Sequence, residues 1–145
     1  MGGKVVGLSG GQGKDLPKVK NFKDLLVWQQ GMELSRRVYL LTRHFPAEEK
    51  YGLTAQLKRS SVSVPSNIAE GHARDSLKEY LRFLSLAAGS LAEAETQIRL
   101  AIALEYISPS DAEEILDLNE KTLRMLRNLQ TSLTTRLPDN PTTGE

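Results

Sequence analysis

The 145-residue chain is long enough to bury one hydrophobic core and short for two, and its 19 Lys and Arg against 18 Asp and Glu leave a formal charge of +1, which excludes the strong overall positive field of a typical nucleic-acid binder. With no cysteine, disulfides, thiolate metal sites and a cysteine nucleophile are excluded. No apolar stretch approaches the roughly 20 residues of a membrane span, and MGGKVVGLSGGQGK lacks the apolar region of a secretory signal, so the expected setting is cytoplasmic with no membrane partner.

Residues 1–21 are Gly- and Lys-rich without a sustained period and read as a flexible basic tail. Their GLSGGQGK fails as a phosphate-binding loop, because Leu8 stands at the first glycine and Asp15 replaces the metal-holding hydroxyl. From Asp24 to about His44, Leu25, Trp28, Met32, Ser35, Tyr39 and Thr42 recur at steps of three and four, which predicts a first helix. Leu53, Leu57, Val64 and Ile68 stripe a second helix to about Glu70, with Gly71 as its stop. Pro65 lies inside that span and predicts either a kink or a boundary, since it has no N–H for the carbonyl of Ser61.

Ser76-Leu-Lys-Glu79 reads as a capping box opening a third helix to about Tyr106. Its seam reads Leu77, Leu81, Leu84, Ala88, Leu91, Glu95, Ile98 and Ile102, and about 30 residues would span ~45 Å. Ser108-Pro109 then supplies a cap and first-turn proline for a fourth helix carrying Ala112, Ile115, Asn119, Thr122, Leu126, Leu129 and Leu133. Residues 138–145 are turn formers and read as a second flexible tail. Short connections make the helices antiparallel, so the expected fold is an all-α, up-and-down four-helix bundle over residues 22–137.

Few motifs point to catalysis. His44 and His72 stand 28 positions apart and fit no zinc-protease pattern, so no metal, cofactor or catalytic residue is expected. Arg37 and His44 do share the Arg, six residues, His spacing that resembles HEPN ribonucleases, which would make a metal-independent ribonuclease the alternative from another class. The more unusual feature is polar: Gln56, Ser60, Ser63, Asn67 and Glu70 form a stripe on the second helix, with Ser90, Glu93 and Gln97 on the third. Met by one another, the two stripes form a network that fixes register, with small Gly89 and Ser90 permitting close helix approach. Its rival is a ligand site around a Glu70 and Glu93 carboxylate pair.

Charge is unevenly spread. Residues 1–92 hold 14 basic and 8 acidic side chains and residues 93–145 hold 5 and 10, so the halves are +6 and −5. One half faces something acidic or the halves face each other. Arg36, Arg37, Arg43, Lys58, Arg59 and Arg74 are the candidate phosphate-contacting residues.

Together FKDLLVWQQGMEL, RHFPAEEKYGLTAQLKRSSVSVPSNIAEGHAR and EYLRFLSLAAGSLAEAETQI resemble the four-helix-bundle proteins encoded in intervening sequences of 23S ribosomal RNA genes, over about residues 22 to 133. Ser63, Asn67, Glu70, Gly71, Gly89, Ser90 and Glu93 fall on that family's characteristic positions, as do Trp28 and Tyr51-Gly52-Leu53. The family is similar in fold to the accessory protein of diversity-generating retroelements, a barrel-like pentamer that associates with a reverse transcriptase and nucleic acid. The resemblance therefore implies a non-enzymatic homo-oligomer, a pentamer, acting as an adaptor for RNA, DNA or a nucleic-acid-handling protein. A purely structural interaction module is the remaining alternative.

Overall fold

The computed structural model describes residues 20–136. Four helices, α1 (Leu26–Thr42), α2 (Leu53–His72), α3 (Leu77–Ala103) and α4 (Pro109–Thr134), follow one another, with short 3-10 turns at Phe22–Asp24 and Ala47–Glu49. Each helix packs on its neighbours in sequence and α1 closes on α4, while the backbones of the diagonal pairs α1/α3 and α2/α4 stay apart. Contacts run in opposite directions along each pair: Gly31 meets Pro65 and Ser35 meets Ser61 between α1 and α2, and Ser60 meets Gln97 and Gly71 meets Phe83 between α2 and α3. Asn119 reaches Leu91 and Gln130 reaches Ser85 between α4 and α3. The architecture is the expected antiparallel up-and-down four-helix bundle. The two expected tails lie almost wholly outside the described residues.

The core is built from one stripe per helix. In α4, Ala112, Ile115, Asn119, Thr122, Leu126, Leu129 and Leu133 are all buried, as their spacing predicts. In α1 the true stripe is Val27, Gly31, Leu34, Ser35, Val38 and Thr42, and Met32 and Tyr39 are 46% and 45% exposed. This corrects the expected face by about one position. Two apolar stripes run side by side on α1, and the buried one contains a glycine that periodicity counting passes over. The same rotation occurs in α3, where Tyr80, Leu84, Ala87, Leu91, Ala94, Ile98 and Ala101 face inward. Glu95 sits beside this stripe and pairs with Arg99 at 2.9 Å, so it does not interrupt the core.

Pro65 neither ends α2 nor leaves a bond unmade. The helix continues to His72, and the Ser61 carbonyl that Pro65 deprives of its usual donor accepts the Ser35 hydroxyl of α1 at 2.9 Å. That hydroxyl also lies 3.0 Å from the Gly31 carbonyl. Gly31 makes the approach possible: a Cβ there would stand 3.3 Å from the Pro65 ring and from a Val64 methyl.

Helix ends show three further departures from expectation. Gly71 does not stop α2. It is buried inside the helix, and a Cβ there would stand 2.7 Å from the Phe83 Cβ, so its role is close packing of α2 on α3. Ser76 accepts the Glu79 amide at 3.2 Å, but the Glu79 carboxylate turns to Arg82 at 3.1 Å, leaving half of the expected capping box. Finally, α3 ends at Ala103, short of Tyr106. Glu105 adopts φ 63°, and the amides of Glu105 and Tyr106 bond back to Ile102 and Ala101, a Schellman closure on a residue other than glycine.

Gly89 behaves oppositely to Gly71: it lies exposed in mid-helix, and a Cβ there would meet nothing within 4 Å. No helix among the described residues packs on it, which corrects the close-approach role expected for it. Gly71→Ala should lower stability by about 1–3 kcal/mol through overpacking, whereas Gly89→Ala should raise it by about 0.5–1 kcal/mol through helix propensity. Urea unfolding of dilute protein, read as a change in midpoint at unchanged slope, checks both signs.

Candidate functional site

The two polar stripes meet between α2 and α3, but only part of each takes part. Ser60, 3% exposed, donates to the Gln97 Oε1 at 2.7 Å. The Gln97 amide nitrogen in turn reaches the Glu93 carboxylate at 3.5 Å. One turn further along α2, the half-buried hydroxyls of Ser63 and Ser90 are directly hydrogen-bonded. Asn67 folds back to donate to the Ser63 carbonyl at 2.9 Å, shaping its own helix. Gln56 and Glu70, at the two ends, are exposed. The seam thus has a buried half, Ser60 with Gln97, and an open edge, Ser63, Ser90, Asn67 and Glu93.

Gln97, the last residue of the expected α3 stripe, is the partner that Ser60 finds. It lies four positions after Glu93 and extends the same stripe, and it is 7% exposed because Ser60 satisfies it. The rival carboxylate pair does not form. Measured from the Ser63–Ser90 contact, Glu70 lies seven residues down α2 and Glu93 three residues up α3, which at 1.5 Å per residue separates them by about 15 Å along the bundle.

The six candidate cations are not gathered on one surface. Arg36 pairs with Glu33 at 2.8 Å and Arg37 with Glu114 of α4. Arg74 lies at the opposite end of the bundle, its guanidinium 4.6 Å from the Phe83 ring, and Arg82 stacks on the same ring at 4.7 Å. Lys58 lies 4.7 Å over the Tyr39 ring, and with Tyr39, Ala55, Arg59, Val62, Ser63 and Ser66 it lines an open groove on α2 that runs to the seam edge. Arg43 is exposed just past the end of α1.

Arg37 and His44 line one shallow concavity of about 150 Å³ with Leu40, Leu41, Asp111 and Ile115. The Glu114 carboxylate compensates the arginine, and Asp111 adds a further negative charge, so the concavity is poorly suited to a phosphodiester. Glu49 was an unforeseen organiser of the same end of the bundle. Its carboxylate accepts the Leu53 amide at the start of α2 and the Tyr106 hydroxyl beyond α3, each at 2.9 Å. The Tyr106 hydroxyl is accordingly harder to ionise than usual, chiefly through that hydrogen bond.

If the buried half of the seam is a register device, Ser60→Ala and Gln97→Leu should each destabilise, and the pair should cost less than the sum. A double-mutant cycle by urea unfolding should give a coupling of about 0.5–1.5 kcal/mol, and additive costs would show the two groups to be independent.

The sequence pattern of the 23S rRNA-intervening sequence protein family matches residues 23–128. Among solved structures, a protein of unknown function from the S23 ribosomal protein family of Bacteroides thetaiotaomicron is similar to this chain, with a TM-score of 0.67 and 24% identity over 72% of this chain and 98% of that one. No curated protein sequence matches the chain. None of the helices among the described residues is long and apolar enough to cross a membrane.

Proposed function

The chain belongs to the family of 23S rRNA-intervening sequence proteins, and from that premise we propose that it is a cytoplasmic, non-enzymatic scaffold that assembles with copies of itself into a ring, a pentamer, and there serves as an adaptor for RNA, DNA or a nucleic-acid-handling protein. The observation that carries the assembly is the open edge of the seam. Gly89 leaves bare helix backbone exposed in the middle of α3, at the cost in helix stability that glycine brings. Beside it stand half-buried Ser63 and Ser90 and the exposed apolar side chains Val62 and Leu86, at 39% and 44%. Among the described residues nothing packs on Gly89, where a helix of a second copy would be able to approach closest.

Repetition supplies what one chain lacks for nucleic acid. A single near-neutral molecule is a weak polyanion binder, but a ring repeats the Arg74 and Arg82 pair once per copy at one end of the assembly. Both guanidiniums are exposed and held on Phe83, and the Glu79 carboxylate that pairs with Arg82 offsets one of the two charges.

Light scattering of the full chain at micromolar concentration should give a multiple of the monomer mass. Gly89→Arg, a substitution that favours the helix, should give the monomer instead. A monomeric wild type, or a Gly89→Arg protein of wild-type mass, would count against the scaffold. For the adaptor role, Arg74→Glu with Arg82→Glu should weaken retention of RNA and flatten its salt dependence while leaving the mass unchanged; unaltered retention would remove this end of the bundle from the reading.

A further inference from the structure

The charges on the two helices at opposite corners of the bundle, α2 and α4, are complementary. From Leu53 to Ala69, α2 carries only two charged side chains, Lys58 and Arg59, both positive. From Pro109 to Glu120, α4 carries Asp111, Glu113, Glu114, Asp117 and Glu120 and no base. Glu114 is held by Arg37 and Glu120 lies 3.8 Å from Arg124, but Glu113 and Asp117 are exposed and have no ion partner among the described residues. They are one helical turn apart and so lie on one stripe. Because α2 and α4 stand on opposite corners of the bundle, this chain has no means of bringing the two charge sets together.

We propose that they meet between copies: the groove of Tyr39, Lys58, Arg59 and Val62 on one molecule receives the Glu113 and Asp117 stripe of α4 on the next. This rests on the self-assembly reading above and specifies its interface. Faces on opposite sides of one molecule make a head-to-tail contact, which propagates around a ring until the rotation closes. The groove suits an acidic helix better than a nucleic acid on two counts. Its lining has the apolar Ala55 and Val62 to cover, and Lys58 is already held over the Tyr39 ring, so its ammonium is presented in place with little further ordering. The same groove includes Ser63 and reaches the seam edge, so the groove and the open surface beside Ser90 belong to one continuous face.

The test is charge reversal in the full chain, followed by light scattering and, in parallel, RNA retention. Lys58→Glu with Arg59→Glu, and separately Glu113→Lys with Asp117→Lys, should each weaken association at least tenfold while the helical circular dichroism stays that of wild type. All four substitutions in one chain should restore the wild-type mass, because the swapped faces are again complementary, and raised salt should dissociate both that protein and the wild type. An oligomeric wild type whose mass survives either double reversal would overturn this interface while leaving self-assembly standing. Loss of RNA retention without loss of mass would assign the groove to nucleic acid and overturn it equally. Failure of the fourfold swap to reassemble would show that the two faces have separate partners. A monomeric wild type would overturn the self-assembly reading, and this interface with it.

Discussion

A single carbonyl, that of Ser61, sets the geometry on which the rest of the bundle depends. Pro65 has no proton to offer it, and a carbonyl buried without a donor carries a penalty of about 1–3 kcal/mol. The Ser35 hydroxyl of α1 takes the missing place. It reaches only because Gly31, one turn earlier, has no side chain to hold the proline ring away. Three residues on two helices therefore act together, and their joint consequence is to fix how far α1 slides along α2. A shift of one turn would leave the carbonyl bare and drive a larger side chain against the ring. With α2 fixed from one side, its other side meets α3 with Gly71 against Phe83 at one end and Ser60 against Gln97 further up. Steric closeness sets the distance there and polar pairing sets the register.

How much of this is legible in the sequence depends on what kind of force places each residue. The stripe on α4 is legible because its apolar residues occupy one face and charged ones the rest, leaving one way to bury it. In α1 and α3 apolar residues spread over more than one face, so periodicity alone leaves the helix free to rotate. The rotation is settled by glycine and alanine positions, Gly31, Ala87 and Ala94, where small size permits contact and hydrophobicity carries little signal. The polar stripes were visible as spacing, but their division into a buried half and an open edge depends on how α2 and α3 pack, which spacing alone does not carry. Glu49 and the turn at Glu105 belong to a third kind. Each satisfies backbone groups at a helix end with a residue that has no special preference for the job, and no local pattern marks it.

The electrostatics follow a related logic. The net charge near zero conceals a division between helices, basic on the outside of α2 and acidic along the first half of α4. Within one molecule Glu33 with Arg36, Glu79 with Arg82 and Glu95 with Arg99 form exposed pairs one turn apart. Such pairs contribute a few tenths of a kcal/mol at most and decide little about the fold. Arg37 with Glu114 is the exception in kind, since it ties α1 to α4 and closes the bundle where no chain connection does. The stability of the molecule thus rests on its apolar stripes and its small-residue contacts, which leaves the unpaired charges at liberty to serve recognition.

This separation bears on why the seam is polar at all. An apolar seam between α2 and α3 would be as stable or more so, since a buried polar pair returns little beyond the cost of its desolvation. What Ser60 and Gln97 add is exclusivity: only one register pairs both, and any slip leaves them buried and unsatisfied. That register in turn places Ser63, which also lines the groove on α2, beside Ser90 at the surface. The buried half of the seam therefore determines the shape of the open half. An outer surface meant only for water would tolerate a slipped register without consequence, whereas one that must match another molecule would not. A register device two turns along α3 from an unpacked glycine is what a surface shaped for another molecule calls for.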